Sequence, residues 1–131
     1  MYTRRNCLVF HGIKENRDEQ TDSVIIDFLK SQMGIALTTQ DLDRSHRLGT
    51  KDDSKKRPRP IIAKFVRHND KQQIYAKKKS LKSKPFLITE SLTPERLKTY
   101  TAARQKYGNT NVWTLDGRIK AKHNGRVIVI M

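Results

Sequence analysis

The sequence predicts an α+β chain in which a two-layer sandwich of split β-α-β order is followed by a helix and a three-stranded antiparallel meander. Three observations carry this. Short β-branched runs alternate with amphipathic stretches through residues 1–90; Thr93-Pro94-Glu95 opens a further helical stretch; and Asp116-Gly117 and Asn124-Gly125 each stand between strand-forming runs. Asp-Gly and Asn-Gly are the strongest short-range hairpin signals, because both residues tolerate the positive φ of a tight turn. Two domains are expected, residues 1–90 and 91–131.

Cys7-Leu8-Val9-Phe10-His11-Gly12-Ile13 reads as the first strand, closed by a glycine and a charged turn. From Asp22, Val24, Ile25, Phe28, Leu29 and Met33 recur at three-to-four spacing, with Thr21 or Asp22 as cap and Gly34 as stop, which predicts an amphipathic helix. Residues 41–48 make a polar second strand, and the Lys/Arg/Asp/Ser/Pro-rich segment 49–59 makes a mobile loop. Pro60 opens the third strand, Ile61–Val66. A second helix spans Asn69 to Leu81, with Ile74 and Leu81 inward and an outer face of lysines, and Phe86–Thr89 is the fourth strand.

Thr93 caps the third helix with Pro94 at its first position, Leu97, Tyr100 and Tyr107 as its apolar stripe and Gly108 as its end. Strands follow near 111–115, 118–122 and 126–130. Two-residue turns would set Leu115 against Arg118, Trp113 against Lys120, Ala121 against Ile128 and Ile119 against Ile130. That register collects Val112, Thr114, Ile119, Ala121, Ile128 and Ile130 on one face, and Trp113, Arg118, Lys120, Lys122, Val127 and Val129 on the other.

Charge narrows the function. The 131 residues contain 28 Lys+Arg against 13 Asp+Glu, a formal net charge of +15, and self-repulsion of that size suits a polyanionic partner. No stretch approaches the roughly 18 apolar residues of a membrane span, so nucleic acid is preferred to a membrane. A single cysteine excludes an internal disulfide, and with no secretory signal an intracellular protein is expected.

The runs Arg4-Arg5-Asn6-Cys7-Leu8-Val9-Phe10-His11-Gly12-Ile13, His46-Arg47-Leu48-Gly49 and Arg59-Pro60-Ile61-Ile62-Ala63-Lys64-Phe65 resemble, over nearly the whole chain, the RNA-binding protein encoded first in LINE-type non-LTR retrotransposons. The resemblance implies an RRM-like domain followed by a small C-terminal domain. It further implies a trimer formed through a preceding coiled coil that this sequence does not contain. Such proteins coat single-stranded RNA and DNA without sequence preference in a cytoplasmic ribonucleoprotein, with nuclear entry as that particle, and act as nucleic-acid chaperones. No catalysis, metal or cofactor is implied. This sequence departs from an ordinary RRM where bases stack on aromatics: those positions align with Val9, Pro60 and Ile62. Backbone contact is therefore expected in place of base reading.

Residues 49–84 supply 13 Lys+Arg against Asp52, Asp53 and Asp70, an electrostatic footprint for phosphates. Arg44, His46 and Arg47 on the second strand and Arg59 and Lys64 on the third would line one groove. Arginine favours bidentate phosphate contact, which singles out Arg4, Arg5, Arg47, Arg59 and Arg118. Arg57, Lys77, Lys78, Lys120 and Lys122 extend the surface, and Trp113 offers an indole for base stacking. Two bland readings stand beside these: Arg47 as an exposed partner of Asp43, and Trp113 as a packing residue. Two other functions also remain open. Asp41 and Asp43 on one strand would suit a magnesium-dependent nuclease, and a patch of Val127, Val129 and Trp113 would suit an assembly module.

Overall fold

The computed structural model describes residues 5–49 and 58–131. The chain divides into two compact units, Met1–Thr89 and Glu90–Met131.

In the first unit the order is β1 (Cys7–His11), α1 (Thr21–Met33), β2 (Leu42–Arg47), β3 (Ile61–Phe65), α2 (His68–Ala76) and β4 (Leu87–Glu90). The strands form one antiparallel sheet in the order β2-β3-β1-β4. Leu8, Phe10, Ile61, Ala63 and Phe65 point to the helices and are fully buried, packing against Ile25, Leu29 and Ile74. Phe10 meets the Phe28 ring edge-on at 5.8 Å and Phe65 at 6.4 Å. The strand aromatics are therefore spent on the core, and the opposite face of β3 is left with Ile62 and Lys64.

α1 ends as its sequence predicts. Gly34 adopts φ 68°, and the Gly34 and Ile35 amides return to the carbonyls of Lys30 and Leu29 at 3.2 and 3.0 Å, a Schellman closure that needs a left-handed residue. Its start differs from expectation. Gln20 occupies the cap position, while Thr21 donates to the Ser45 carbonyl at 3.1 Å and the Ser45 hydroxyl contacts Thr21 and Asp22. The two expected caps instead fasten α1 to β2.

The second helix is also not continuous. After Ala76 the chain tightens into a 3-10 turn over Lys77–Leu81, and the Ser80 hydroxyl bonds the Lys77 carbonyl at 2.9 Å. Three residues per turn set i and i+3 in one column. Leu81, 2 % exposed, thus shares the inner column with Lys78, whose ammonium lies 3.8 Å from the Tyr75 ring centroid. Lys77, Lys79 and Lys82 fall on the outer columns and are exposed.

The second unit contains α3 (Pro94–Tyr107), β5 (Val112–Leu115), β6 (Arg118–His123) and β7 (Arg126–Val129). Thr93 caps α3 by accepting the Arg96 amide at 3.3 Å. Both hairpins are two-residue turns with positive φ at each position: 50° and 81° at Asp116-Gly117, 51° and 77° at Asn124-Gly125. The register pairs Leu115 with Arg118, Trp113 with Lys120 and Ala121 with Ile128. Beyond β7, Ile130 donates to the Ile119 carbonyl at 2.8 Å. Ala103, Val112, Ile119 and Ala121 form the core, with Tyr100 and Tyr107 packed against it.

Leu97 departs from the predicted stripe and is 53 % exposed. At 100° per residue, the position one turn before Tyr100 and in line with Ala103 is Arg96. Its guanidinium reaches across to the Gly117 carbonyl and so holds the first hairpin turn against the helix.

Gly12 has φ 94°, and a Cβ built there would overlap the Pro85 carbonyl oxygen. Gly12→Ala is therefore expected to destabilise the first unit by more than about 1 kcal/mol, combining positive-φ strain with a backbone clash. Thermal unfolding followed by circular dichroism checks this; an unchanged midpoint contradicts the packing described.

Candidate nucleic-acid interface

The sequence-predicted groove is built from two strands, and the ladder between them decides which cations share a face. β2 and β3 pair with Arg44 opposite Lys64, Ser45 opposite Ala63, His46 opposite Ile62 and Arg47 opposite Ile61. Ala63 and Ile61 face the core, so Ser45 and Arg47 do too, while Arg44, His46 and Lys64 share the other face. The register shifts between Leu42 and Arg44. This bulge at Asp43 adds one residue, and one extra residue exchanges the two faces of everything after it.

Arg47 is accordingly not a surface cation. Its side chain is 4 % exposed and forms an ion pair with Glu19 at 2.7 Å. Nε and Nη2 donate to the two Glu19 carboxylate oxygens at 2.7 and 2.9 Å. Nη1 donates to the carbonyls of Ile13 and Arg59 at 2.8 and 2.6 Å, and Nη2 also to that of Lys14 at 3.0 Å. A guanidinium has five N–H donors, and each finds an acceptor. Neither a phosphate contact nor an exposed Asp43 pair describes this residue. Asp43 instead lies 3.6 Å from Lys64.

Arg59 is likewise engaged, donating to Glu15 at 3.2 and 2.5 Å and to the Gly49 carbonyl at 2.9 Å. The expected single groove therefore divides. Arg47 and Arg59 hold the segment after β1 to the start of β3, and Arg44, His46 and Lys64 form an outward cluster. Arg5 is exposed beside it, because the Asn6 carbonyl accepts the Phe65 amide at 2.9 Å. Arg67, exposed two residues beyond β3, was not selected by the sequence reading and joins the same end of the sheet. Arg4, Arg57 and most of the basic loop lie outside the described residues.

On this face of the sheet the described strand positions are Arg44, His46, Ile62, Lys64, Cys7, Val9, His11, Leu87 and Thr89, with no Phe, Tyr or Trp among them. Cys7 and Val9 are buried at 7 % and 8 % while Leu87 is exposed, so the cations accessible on this face lie on its β2–β3 half. His11 is half-buried with its Nε2 3.0 Å from the Thr89 hydroxyl, and burial lowers its pKa below 6.5.

The helix layer carries a second set of cations, among which Lys77 is exposed while Lys78 is partly withdrawn over Tyr75. Lys71 is buried at 2 %, so this helix sheds one of its lysines into the interior. Lys79 and Lys82, further members of the same lysine run, are exposed.

In the second unit the face away from α3 carries Trp113, half-buried, directly opposite Lys120, with Arg118 and Lys122 exposed along the same strand. Val127 and Val129 are 60 % and 58 % exposed, opposite Lys122 and Lys120. An indole beside lysine stems and small aliphatics suits base stacking between phosphate contacts.

The paired acids of the nuclease reading are separated in role. Asp41 lies in a 3-10 turn, where its carboxylate accepts the Thr38 amide at 2.9 Å, and Asp43 sits at the bulge beside Lys64. Among the described residues no group of three or more His, Cys, Asp or Glu is placed to hold a metal ion. No helix among them is long and apolar enough to cross a membrane.

Breaking a buried, fully bonded ion pair from one side costs about 3–5 kcal/mol, so Arg47→Ala is expected to unfold the first unit or lower its midpoint sharply. Arg47→Lys, lacking the fork, should restore little. Hydrogen bonds from Arg47 hold the Glu19 carboxyl below 4.5, against the opposing effect of burial. A depressed carboxylate contributes stability that is full above its unfolded value and is lost as pH falls through the folded one. Urea midpoints of wild type should therefore drop as pH falls below about 4.5, and Glu19→Gln should start lower and respond less. Equal acid sensitivity in both would contradict the pair's role. The sequence matches no protein-family model and no curated protein, so the function rests on the residues and their geometry.

Proposed function

We propose that this chain binds single-stranded RNA and DNA through their phosphates, with little sequence preference, and that its first unit is an RRM-like domain adapted to grip backbones. The observation that supports this most directly is the pairing of Arg44 with Lys64, beside His46, on a sheet face that offers no Phe, Tyr or Trp among its described strand positions. An ordinary RRM reads bases by stacking them there. Cations on that face instead release condensed counterions on meeting phosphate, which favours any sequence equally.

The second unit supplies a complementary element, Trp113 flanked by Arg118, Lys120 and Lys122, where a base of any identity finds a π-face. Together with the resemblance to the LINE-encoded RNA-binding proteins, these surfaces support a role in coating and remodelling nucleic acid inside a ribonucleoprotein. On the same reading the longer protein is a trimer, and the particle forms in the cytoplasm and enters the nucleus. Binding is preferred to the nuclease reading because Asp41 and Asp43 serve a turn and an ion pair.

Binding to two unrelated single strands across a salt series tests this. Each phosphate contact adds about −0.7 to the slope of log affinity against log salt. Four to six contacts therefore give a slope of about −3 to −4 with both strands. Arg44→Ala with Lys64→Ala should flatten the slope by about one unit or more. Trp113→Ala should cost about tenfold at every salt concentration, as expected for loss of one stacked base. A flat salt response, or strong preference for one sequence, overturns the proposal.

A further inference from the structure

The first unit is basic on both of its faces, and the two sets of charge are separated by the core. Outward from the sheet stand Arg44 and Lys64, with Arg5 and Arg67 exposed at the end of the same strands. On the helix layer Lys77, Lys79 and Lys82 occupy the outer columns of the 3-10 turn, and Lys30 is exposed on α1, which packs against that turn. Lys84 is bonded to the Gln32 side chain at 3.2 Å, which ties this segment to the last turn of α1. Between the two faces lie Leu8, Phe10, Ile25, Leu29, Ile61 and Phe65, all fully buried.

The ion pairs Arg47–Glu19, Arg59–Glu15 and Lys64–Asp43 lie elsewhere in the first unit. None involves Lys30, Lys77, Lys79 or Lys82. These four ammonium groups meet no carboxylate among the described residues, and the tightened backbone turns three of them outward together. Had the helix continued past Ala76, the 3.6-residue period would have spread them around its circumference.

We infer that the helix-layer lysines form a second phosphate-binding surface, and that one molecule holds two nucleic-acid strands at once, one on each face of the first unit. This rests on the binding function proposed above and adds to it a stoichiometry and a geometry. A helix is about 10–12 Å across with its side chains, so strands on the two faces stand roughly 20 Å apart. That is about twice the screening length of about 10 Å at 0.1 M salt. Repulsion between the bound strands is then weak, while each is neutralised by its own cations. A strand laid along one face does not reach the other set of charges without crossing an edge of the sandwich. The second surface is therefore free for a second strand, and a protein that holds two strands side by side promotes their pairing.

The test is capture of a fluorescent single strand by a non-complementary single strand immobilised on beads, with the 131-residue chain as the bridge. Annealing of complementary strands is followed in parallel by energy transfer. The triple variant Lys77→Ala, Lys79→Ala, Lys82→Ala is expected to bind a lone strand within about threefold of wild type, yet to lose at least tenfold in capture and in annealing rate. A charge-matched control, Arg17→Ala, Lys98→Ala, Arg126→Ala, should retain both. Circular dichroism confirms that each variant is folded, and exchanging the lysines for glutamine provides a second version of the triple variant. Capture by the triple variant equal to that of wild type overturns the inference, as does equal loss in the control. If wild type binds no single strand in the salt series, the binding function itself fails; binding without capture defeats only the two-strand inference.

Discussion

The buried contact between Arg47 and Glu19 is the constraint on which the first unit depends. One guanidinium gathers the segment after β1, the start of α1, the end of β2 and the approach to β3, through five hydrogen bonds that leave no donor over. A buried charge is tolerated only when paired and fully bonded, and here the pairing also fixes how the strands connect. The Arg59 carbonyl accepts from Arg47 while the Arg59 side chain returns to Glu15. The two arginines and two glutamates thus form a brace at one end of the sheet.

That brace determines which cations remain for a ligand. In a chain of net charge +15, acidic residues are scarce, and Glu15 and Glu19 after β1 are committed to Arg59 and Arg47. The outward side of the sheet and the outer columns of the 3-10 turn receive few carboxylates. Apart from Lys64, which lies 3.6 Å from Asp43, their exposed lysines and arginines stay solvated, the condition in which a cation exchanges water and counterions for phosphate at least cost. Structural arginines and binding cations are neighbours in sequence, as with His46 and Arg47, yet opposite in role.

The second unit follows a different logic. Its turns are decided within two residues, its faces by simple alternation, and its helix by a Thr-Pro cap. Local rules consequently recover nearly all of it, including the cross-strand partners of Trp113, Ala121 and Leu115. Only Leu97 escapes, because Arg96 takes the inward position in order to bond the Gly117 carbonyl, a contact between residues distant in sequence. In the first unit the order of strands and helices is equally legible, but the break of the second helix after Ala76 and the candidate site are less so.

The sequence by itself determined the element order, both hairpin registers, the αL closure of α1 and the basic character of the surface. These arise from interactions spanning a few residues, or from composition. Only the tertiary structure decided which cations face outward. Alternation counted from Leu42 sends Arg47 to the exterior and Arg44 inward; the bulge at Asp43 reverses both, and Glu19, far away in the chain, supplies the carboxylate that stabilises the reversal. The switch from α to 3-10 geometry after Ala76 likewise turns Lys78 toward Tyr75 and Lys79 and Lys82 outward. A one-residue shift in a strand or a tightened turn leaves composition and periodicity almost unchanged while moving every charge that follows.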